Sequence, residues 1–408
     1  MTSPSAPIHG AERIEVLDVL RGAAIFGILV ANMLVAGGYI WLDPAARAAL
    51  PSAAADGPVL LLIHALVEGK FYSIFSLLFG IGFAVQLGRA DARGIPFPPF
   101  FRRRLAGLAM IGLAHAVLLW SGDILLLYAL LGLLLVPFHR ASDRTLLRGA
   151  ALCLALPVLV YLGMLATGFG SFMAEPAADG SDFMAPILAG FREDSWTAAF
   201  RSNLVMVAGR WVDLFLTVRF PKVFGMFLLG LFLGRRGLGV DPIRDAALLR
   251  RTVRLGLAFG LPANAVVAWL ADQPVYLPAS WPGLLQTTAA AIGVPALALA
   301  YSAAIVLAFG TPAGRRLLRP VGVAGRMALS NYLLHSVVMT VIFYGWGLGW
   351  FGRLGPAVTT PLAMLICALQ VPLSRAWLAR FRFGPAEWLW RQFTYRRRIP
   401  LSATTAPG

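Results

Sequence analysis

Charge is scarce in this chain. Only 13% of its 408 residues are charged, 19 are acidic and five are His, while 59% are hydrophobic and mean hydropathy is +0.75. Soluble domains carry roughly 25% charged residues. A soluble fold of this size has too little interior to hide so much apolar surface, which excludes a secreted domain, a cytosolic α/β enzyme and a disordered chain. Cysteine is almost absent. Cys153 and Cys367 each lie inside an apolar run and read as small buried hydrophobes, not as a disulfide or metal pair. The phosphate-loop pattern G-x-x-x-x-G-K-[ST] and the catalytic patterns H-E-x-x-H, G-x-S-x-G and C-x-x-C are all missing. So is the TVGYG filter, which leaves an ATPase, zinc peptidase, serine hydrolase of that type or potassium channel without support. No metal site is expected. The N-terminal MTSPSAPIHGAERIE has no apolar run ahead of a small-residue cleavage site, so the first apolar run is expected to stay as a membrane helix.

What remains is an all-α, polytopic transmembrane helical bundle. A crossing helix needs about 20 residues, and ten runs meet or approach that length: 19–40, 70–88, 104–120, 124–138, 145–168, 221–235, 252–270, 284–309, 327–345 and 355–373. The fourth and sixth are short. With the N-terminus in the cytoplasm and ten alternating spans, 27 of the 35 basic residues fall inside, in keeping with the positive-inside bias. The net charge of +16 is then a topology signal, and nucleic acid is not an expected partner. This predicts a multi-pass protein of the bacterial inner (plasma) membrane with both termini cytoplasmic. Residues 1–18 form an N-terminal segment, 19–373 the helical domain and 374–408 a basic tail. Two outer segments stand out. Residues 41–69 end in an apolar stretch expected at the interface or re-entering between helices. Residues 169–220 contain 200–218, read as an amphipathic surface helix, with an eleventh span as the alternative.

Polar groups at membrane depth are costly and few. His115 follows Arg104 by eleven residues and His335 follows Arg326 by nine, about 16 and 13 Å along a helix. Each imidazole serves either as a structural hydrogen-bonding group or as a general base. Asn32 reads as an interhelical bond or a ligand contact. Asp18 and Arg21 share one helical face, either as a capping pair or as a mouth where Arg grips phosphate. His64 and Glu68, four apart with Lys70 beyond, fit an oriented imidazole or an interfacial salt bridge. Asp123, after Gly122, is a turn aspartate or an outer substrate contact beside the helix of His115. In GRMALSNYLLHSVV, Arg326 and Ser330, and Asn331 and His335, are i,i+4 pairs that argue for an internal polar cavity. Gly80 and Gly82 in LLFGIGFA fit close helix packing.

RIEVLDVLRGAAIFGILVANM at 13–33, VEGKFYSIFSLLFGIGFAVQL at 67–87 and GLAHAVLLWSGDILLLYALLG at 112–132 resemble the YeiB-like family of bacterial inner-membrane proteins. GRMALSNYLLHSVV, FGRLGP and FRFGPAEWLWRQFTY extend the resemblance to nearly the whole chain, with 169–200 least distinctive. Through LDVLRG, that family is similar to the transmembrane acyltransferase superfamily. Its members include lysosomal heparan-glucosaminide acetyltransferase and the bacterial O-acetyltransferases of envelope polysaccharides. The resemblance implies a transmembrane-acyltransferase-like bundle. It would take an acyl group from a cytosolic thioester, acetyl-CoA or another acyl-CoA, and pass it to an acceptor at the outer face. Asp18, Arg21 and Arg104 would then bind the donor, and His115, or His64 with Glu68, would be catalytic. Asn32, Asp123, Arg326, Asn331 and His335 would supply substrate or interior polar contacts. One departure matters: the O-acetyltransferases have a histidine eleven residues after the signature arginine, and here that position is Asn32. A secondary transporter of a small solute, or a non-catalytic sensor or scaffold, is therefore the alternative. Membrane lipids and an anionic acyl donor are the expected partners, and self-association into a homo-oligomer is compatible with the composition.

Overall fold

Several helix starts in this protein follow ordinary capping chemistry. The computed structural model describes residues 14–94, 96–168, 183–238, 243, 245–271 and 279–402. Arg13, the acidic Glu175, Asp179 and Asp182, most of 239–244 and residues 403–408 lie outside the described residues. Ser142, Ser195, Asp245, Ser280 and Thr311 each accept a bond from the backbone N–H three residues on, satisfying one orphan donor of the helix that follows. Pro282 and Pro312 occupy first-turn positions, where a missing N–H costs nothing.

Among the described residues there are sixteen α-helices. The first six are α1 (Glu15–Ala36), α2 (Pro44–Ala48), α3 (Ala53–Leu66), α4 (Lys70–Ala92), α5 (Phe97–Leu118) and α6 (Leu125–Leu135). Next come α7 (Asp143–Thr167), α8 (Met184–Arg192), α9 (Trp196–Leu216), α10 (Arg219–Leu233) and α11 (Ala246–Trp269). The chain closes with α12 (Trp281–Phe309), α13 (Pro312–Arg326), α14 (Ala328–Phe343), α15 (Pro356–Arg380) and α16 (Pro385–Tyr395). Among the described residues the only β pairing is an isolated bridge between Phe381 and Ser402.

Each of the ten apolar runs contains a helix, but among the described residues six helical segments are long and apolar enough to cross a membrane unaided. They are Glu15–Ala36, Ala53–Ala92, Asp143–Thr167, Ala246–Trp269, Trp281–Phe309 and Pro356–Arg380. Two bent pairs raise the number to eight: α9 with the α10 segment, bent by 69°, and α13 with α14, bent by 77°. The remaining two runs fall short for physical reasons. Arg102, Arg103 and Arg104 load the start of α5, and α6 has only 11 residues before it tightens into a 3-10 turn. Residues 41–69 are not a plain connection either. They hold α2 and α3, and α3 joins α4 through Gly69 at φ +84°. Residues 196–216 form the full-length helix α9, which meets α10 through Val218, a β-branched residue held at φ +49°.

The connections sort to two ends. At one end Arg235 donates to the carbonyls of Phe138, His139 and Ala141, and Arg236 pairs with Asp143. Arg319 approaches Glu15, and Trp390 donates to the Arg104 carbonyl, at this same basic end. At the other end Asp56 accepts from Ala357 N, Gly352 N donates to Gly37 O, and Gly345 N to Phe191 O.

Two close crossings set the interior. A Cβ on Gly80 would stand 2.1 Å from the Phe227 carbonyl, and one on Gly230 2.1 Å from that of Leu77, so α4 and α10 touch backbone to backbone. Likewise α1 meets α13 where Gly325 lies against the Asp18 carbonyl and Gly22 against that of Val321. Phe79 stacks on Phe227 with centroids 4.3 Å apart, and Tyr128 packs edge-on against both. Gly82, in contrast to Gly80, has nothing within 4 Å of its would-be Cβ. It faces a cavity.

Candidate functional site

That cavity has a volume of about 350 Å³, within the range of roughly 300–1,000 Å³ common for ligand pockets. Its wall on α4 runs from Arg89 to Phe75, about 21 Å of helix. The basic end gathers side chains from five separate parts of the chain. Arg21 comes from α1, Arg89 and Arg93 from the end of α4, and Arg103 and Arg104 from α5. Arg326 closes α13, and Arg391 belongs to α16. Against these seven guanidinium groups stand two lining carboxylates, Asp18 and Glu387.

Both carboxylates are already engaged. Asp18 is buried and accepts from Arg21 at 2.7 Å. Glu387 takes the backbone N–H groups of Leu329 and Ser330 on one oxygen and the Ser330 hydroxyl on the other. It thereby satisfies the first turn of α14, which the 77° break from α13 leaves exposed. Burial raises the Glu387 carboxyl above its ordinary value, and the three donated hydrogen bonds act in the opposite direction. Arg104 is held flat over Trp390, its guanidinium carbon 3.6 Å from the ring centre. Arg103 presents a solvent-shielded Nε with no partner among the described residues. A guanidinium cluster with spare donors is chemistry for a multiply charged anion, phosphate above all.

Toward the opposite end the lining becomes apolar and aromatic, with Phe75, Leu78, Ile124, Tyr128 and Tyr332. Tyr128 bonds Ser76 and the Tyr72 carbonyl, and the Tyr332 hydroxyl accepts the Ile124 N–H at 3.3 Å. Directly behind Tyr332, with ring centres 5.1 Å apart, lies His115. His115 is 2% exposed. Its Nδ1 is 2.8 Å from Asp123 Oδ2, and its Nε2 is 2.7 Å from Ser336 Oγ. Asp123 is fixed in turn because its other oxygen accepts the Leu126 N–H. With the carboxylate taking Nδ1–H, the Nε2 lone pair faces the serine hydroxyl. The arrangement is a hydroxyl, an imidazole and an orienting carboxylate in line.

The predicted residues thus sort into separate places. Asp18, Arg21, Arg104 and Arg326 share the basic end of the cavity. His115 and Asp123 form one hydrogen-bonded pair. His335 and Asn331 do not join them, although they share a helix with Ser336. His335 Nε2 meets Gln370 Oε1 at 2.7 Å, and Asn331 donates to Ser374 and to the Ala324 carbonyl, so both pin α14 to its neighbours. Arg326 and Ser330 likewise part ways, one to the cavity wall and the other to Glu387. The four polar groups of that stretch therefore serve three places and not one cavity. His64 and Glu68 pair at 2.5 Å where α3 meets α4, with Lys70 donating to the His64 carbonyl. Glu68 is 59% exposed, and the pair lies apart from both His115 and the cavity lining. Asn32 is half-buried on α1 and lines no part of the cavity. Among the described residues, no group of three or more His, Cys, Asp or Glu is placed to hold a metal ion.

Several participants escape a reading of the sequence. Ser336 carries no local signal, because hydroxyls in apolar helices ordinarily bond back to a carbonyl one turn earlier. Glu387, Trp390 and Arg391 sit in FGPAEWLWRQFTY, whose amphipathic pattern gives the helix but not what it covers.

Fold and site together define a polytopic, all-α membrane protein with an arginine-lined cavity at its basic end. The family described as "Protein of unknown function (DUF418)" matches residues 233–397. "Uncharacterized protein YxaH" of Bacillus subtilis (strain 168) is 32% identical over 420 residues, covering 97% of both chains. "Uncharacterized protein YeiB" of Escherichia coli (strain K12) is 30% identical over 97% of this chain and 100% of its own length. "Uncharacterized 39.9 kDa protein in amylase 3'region" of Bacillus acidopullulyticus is 27% identical over 97% of each. The chain belongs to this DUF418, YeiB/YxaH-like family of bacterial polytopic membrane proteins. None of these comparisons links it to acyltransferases.

Proposed function

We propose that this protein is a membrane-embedded acyltransferase. It binds a phosphate-bearing acyl donor in the arginine-lined cavity and passes the acyl group toward an acceptor at the opposite face. The observation that carries the reading is the order of groups along one path. A guanidinium cluster fit for a polyanion leads along an apolar lining to Tyr332, behind which a buried imidazole is held between a carboxylate and a hydroxyl. Eleven residues separate Arg104 from His115, so a donor gripped by its phosphates needs an arm of about 16 Å to reach the imidazole. An acyl-CoA has a charged head, a long thin arm and a thioester at the tip. In this reading the basic end faces the cytoplasm, ten segments cross the inner membrane and both termini are cytoplasmic. The supports are the excess of arginine at that end and the positive-inside bias.

The bends at Val218 and Met327 favour a second reading, transport, because broken helices form solute sites in transporters. At Met327, however, Glu387 already occupies the freed N–H groups that such a site would offer to a solute. Equilibrium binding of labelled acetyl-CoA to purified full-length protein tests the proposal, followed by a search for label released or transferred. Binding weakened by Arg103→Ala and by added salt, with turnover lost in His115→Ala, is the expected pattern. Wild-type protein that binds no acyl-CoA defeats the reading.

A further inference from the structure

We infer that Ser336 is a nucleophile that carries the acyl group as an ester between donor and acceptor. The inference deepens the acyltransferase reading and rests on it for the identity of the donor. Three observations point to Ser336, and the first is the in-line geometry. Asp123 Oδ2, His115 and Ser336 Oγ are joined by contacts of 2.8 and 2.7 Å, and the far oxygen of Asp123 is tied to the Leu126 N–H. This is the arrangement that turns a weakly nucleophilic hydroxyl into an attacking one.

The second is what Ser336 does not do. Ser73, Ser76 and Ser302, in comparable helices, each donate to the carbonyl four residues back. Ser336 is 1% exposed, and its hydroxyl is committed to the imidazole of a helix 221 residues away. A purely structural serine in an apolar helix has a local acceptor available at no cost in chain entropy.

The third is position. Ser336 is one helical turn beyond Tyr332 on the same face of α14, and Tyr332 forms the end wall of the cavity. The Tyr332 hydroxyl accepts the Ile124 N–H and keeps its own proton for a carbonyl oxygen that passes. The ring of Tyr332 must turn aside for the acyl carbon to reach Oγ.

The chemistry balances without an added oxidant or reductant. Ser336 Oγ attacks the thioester carbonyl as its proton moves to His115 Nε2, and Asp123 holds the resulting imidazolium. The C–S bond breaks, and the thiol leaves with that proton, so the products are acyl-Ser336 and free thiol. An acceptor hydroxyl or amine then gives its proton to Nε2 and attacks the ester carbonyl. The C–Oγ bond breaks, and the serine recovers its proton.

The test uses full-length protein in nanodiscs with acetyl-labelled acetyl-CoA, quenched by denaturation and mapped by peptide mass spectrometry. The expected result is an acetyl ester on the peptide containing Ser336, resistant to neutral hydroxylamine. Ser336→Ala, checked for a monodisperse sizing profile, should keep donor binding but lose the label, with thioester turnover falling about 10³-fold or more. Ser336→Cys should keep the label and make it labile to neutral hydroxylamine, because the ester becomes a thioester. Label on His115, turnover without covalent label, or undiminished turnover by Ser336→Ala overturns the inference while leaving donor binding intact. A fluorophosphonate supplies a donor-free readout. Modification of Ser336 that His115→Ala abolishes supports the nucleophile even if acetyl-CoA does not bind, in which case the donor assignment alone falls. No modification by either reagent overturns the nucleophile.

Discussion

Removing the Glu387 carboxylate should loosen the break between α13 and α14. Glu387→Ala deletes the acceptor for two backbone N–H groups and one hydroxyl at the first turn of α14. Loss of a helix cap costs about 1 kcal/mol, and hydrogen bonds to a charged group contribute about 1.5–3 kcal/mol. Solvent can replace part of what is lost, because Glu387 is only half-buried, so a net cost of about 2–4 kcal/mol is expected. In a chain of 408 residues the unfolding entropy converts this to about 2–5 °C in apparent Tm. The eleven tryptophans provide an intrinsic fluorescence signal for a melt in detergent.

The pH dependence has a definite sign. The folded protein holds the Glu387 proton more tightly than the unfolded chain does, because burial raises this carboxyl. Its contribution to stability is therefore present in full below the ordinary carboxylate range and is lost as pH rises through the raised folded value. Glu387→Gln should flatten that part of the profile. A Glu387→Ala protein that melts with the wild type at every pH refutes the idea that this carboxylate closes the break.

Arg103→Ala should weaken acetyl-CoA binding about tenfold, the loss of one charge-assisted contact, and raising salt should narrow the gap to wild type. This is read by titration at two ionic strengths. Asp123→Asn keeps the volume but removes the carboxylate that fixes the His115 tautomer, so turnover should drop about 10³-fold or more with donor affinity unchanged. Single-turnover kinetics with labelled donor separate the two. Gly80→Ala drives a Cβ into the Phe227 carbonyl and should prevent stable folding, whereas Gly82→Ala opens onto the cavity and should fold normally. Yield and monodispersity on a sizing column distinguish them. His335→Ala removes the bond to Gln370 from the α14–α15 seam and should cost about 1–3 kcal/mol of stability while acyl labelling persists.

The apolar runs and the grouping of arginine at one end could be read from composition and spacing alone, because lipid imposes both. The nearness of Asp123 to the helix of His115 could be read as well, since only eight residues and a glycine turn separate them, but the bond between the two could not. Crossing number was harder. Arg102, Arg103 and Arg104 sit inside helix α5 and not ahead of it, and the bends at Val218 and Met327 attach to two of the apolar runs the helices α9 and α13, which their charges had set outside the spans. The other half of the site was hidden for a different reason. Ser336 meets His115 across 221 residues, and Trp390 meets Arg104 across 286, so no local pattern marks either contact. His335 misled through proximity. It adjoins Ser336 in sequence, yet a rotation of about 100° per helical residue turns it to the seam with α15.

Helix α16 follows every other wall of the cavity in chain order, yet it supplies the Glu387 cap, the Trp390 face under Arg104 and the Arg391 charge. During synthesis the cavity therefore stays unfinished until this helix has emerged and docked. A partly made chain carries the buried His115 group but lacks Glu387, Trp390 and Arg391 from the wall of the basic end.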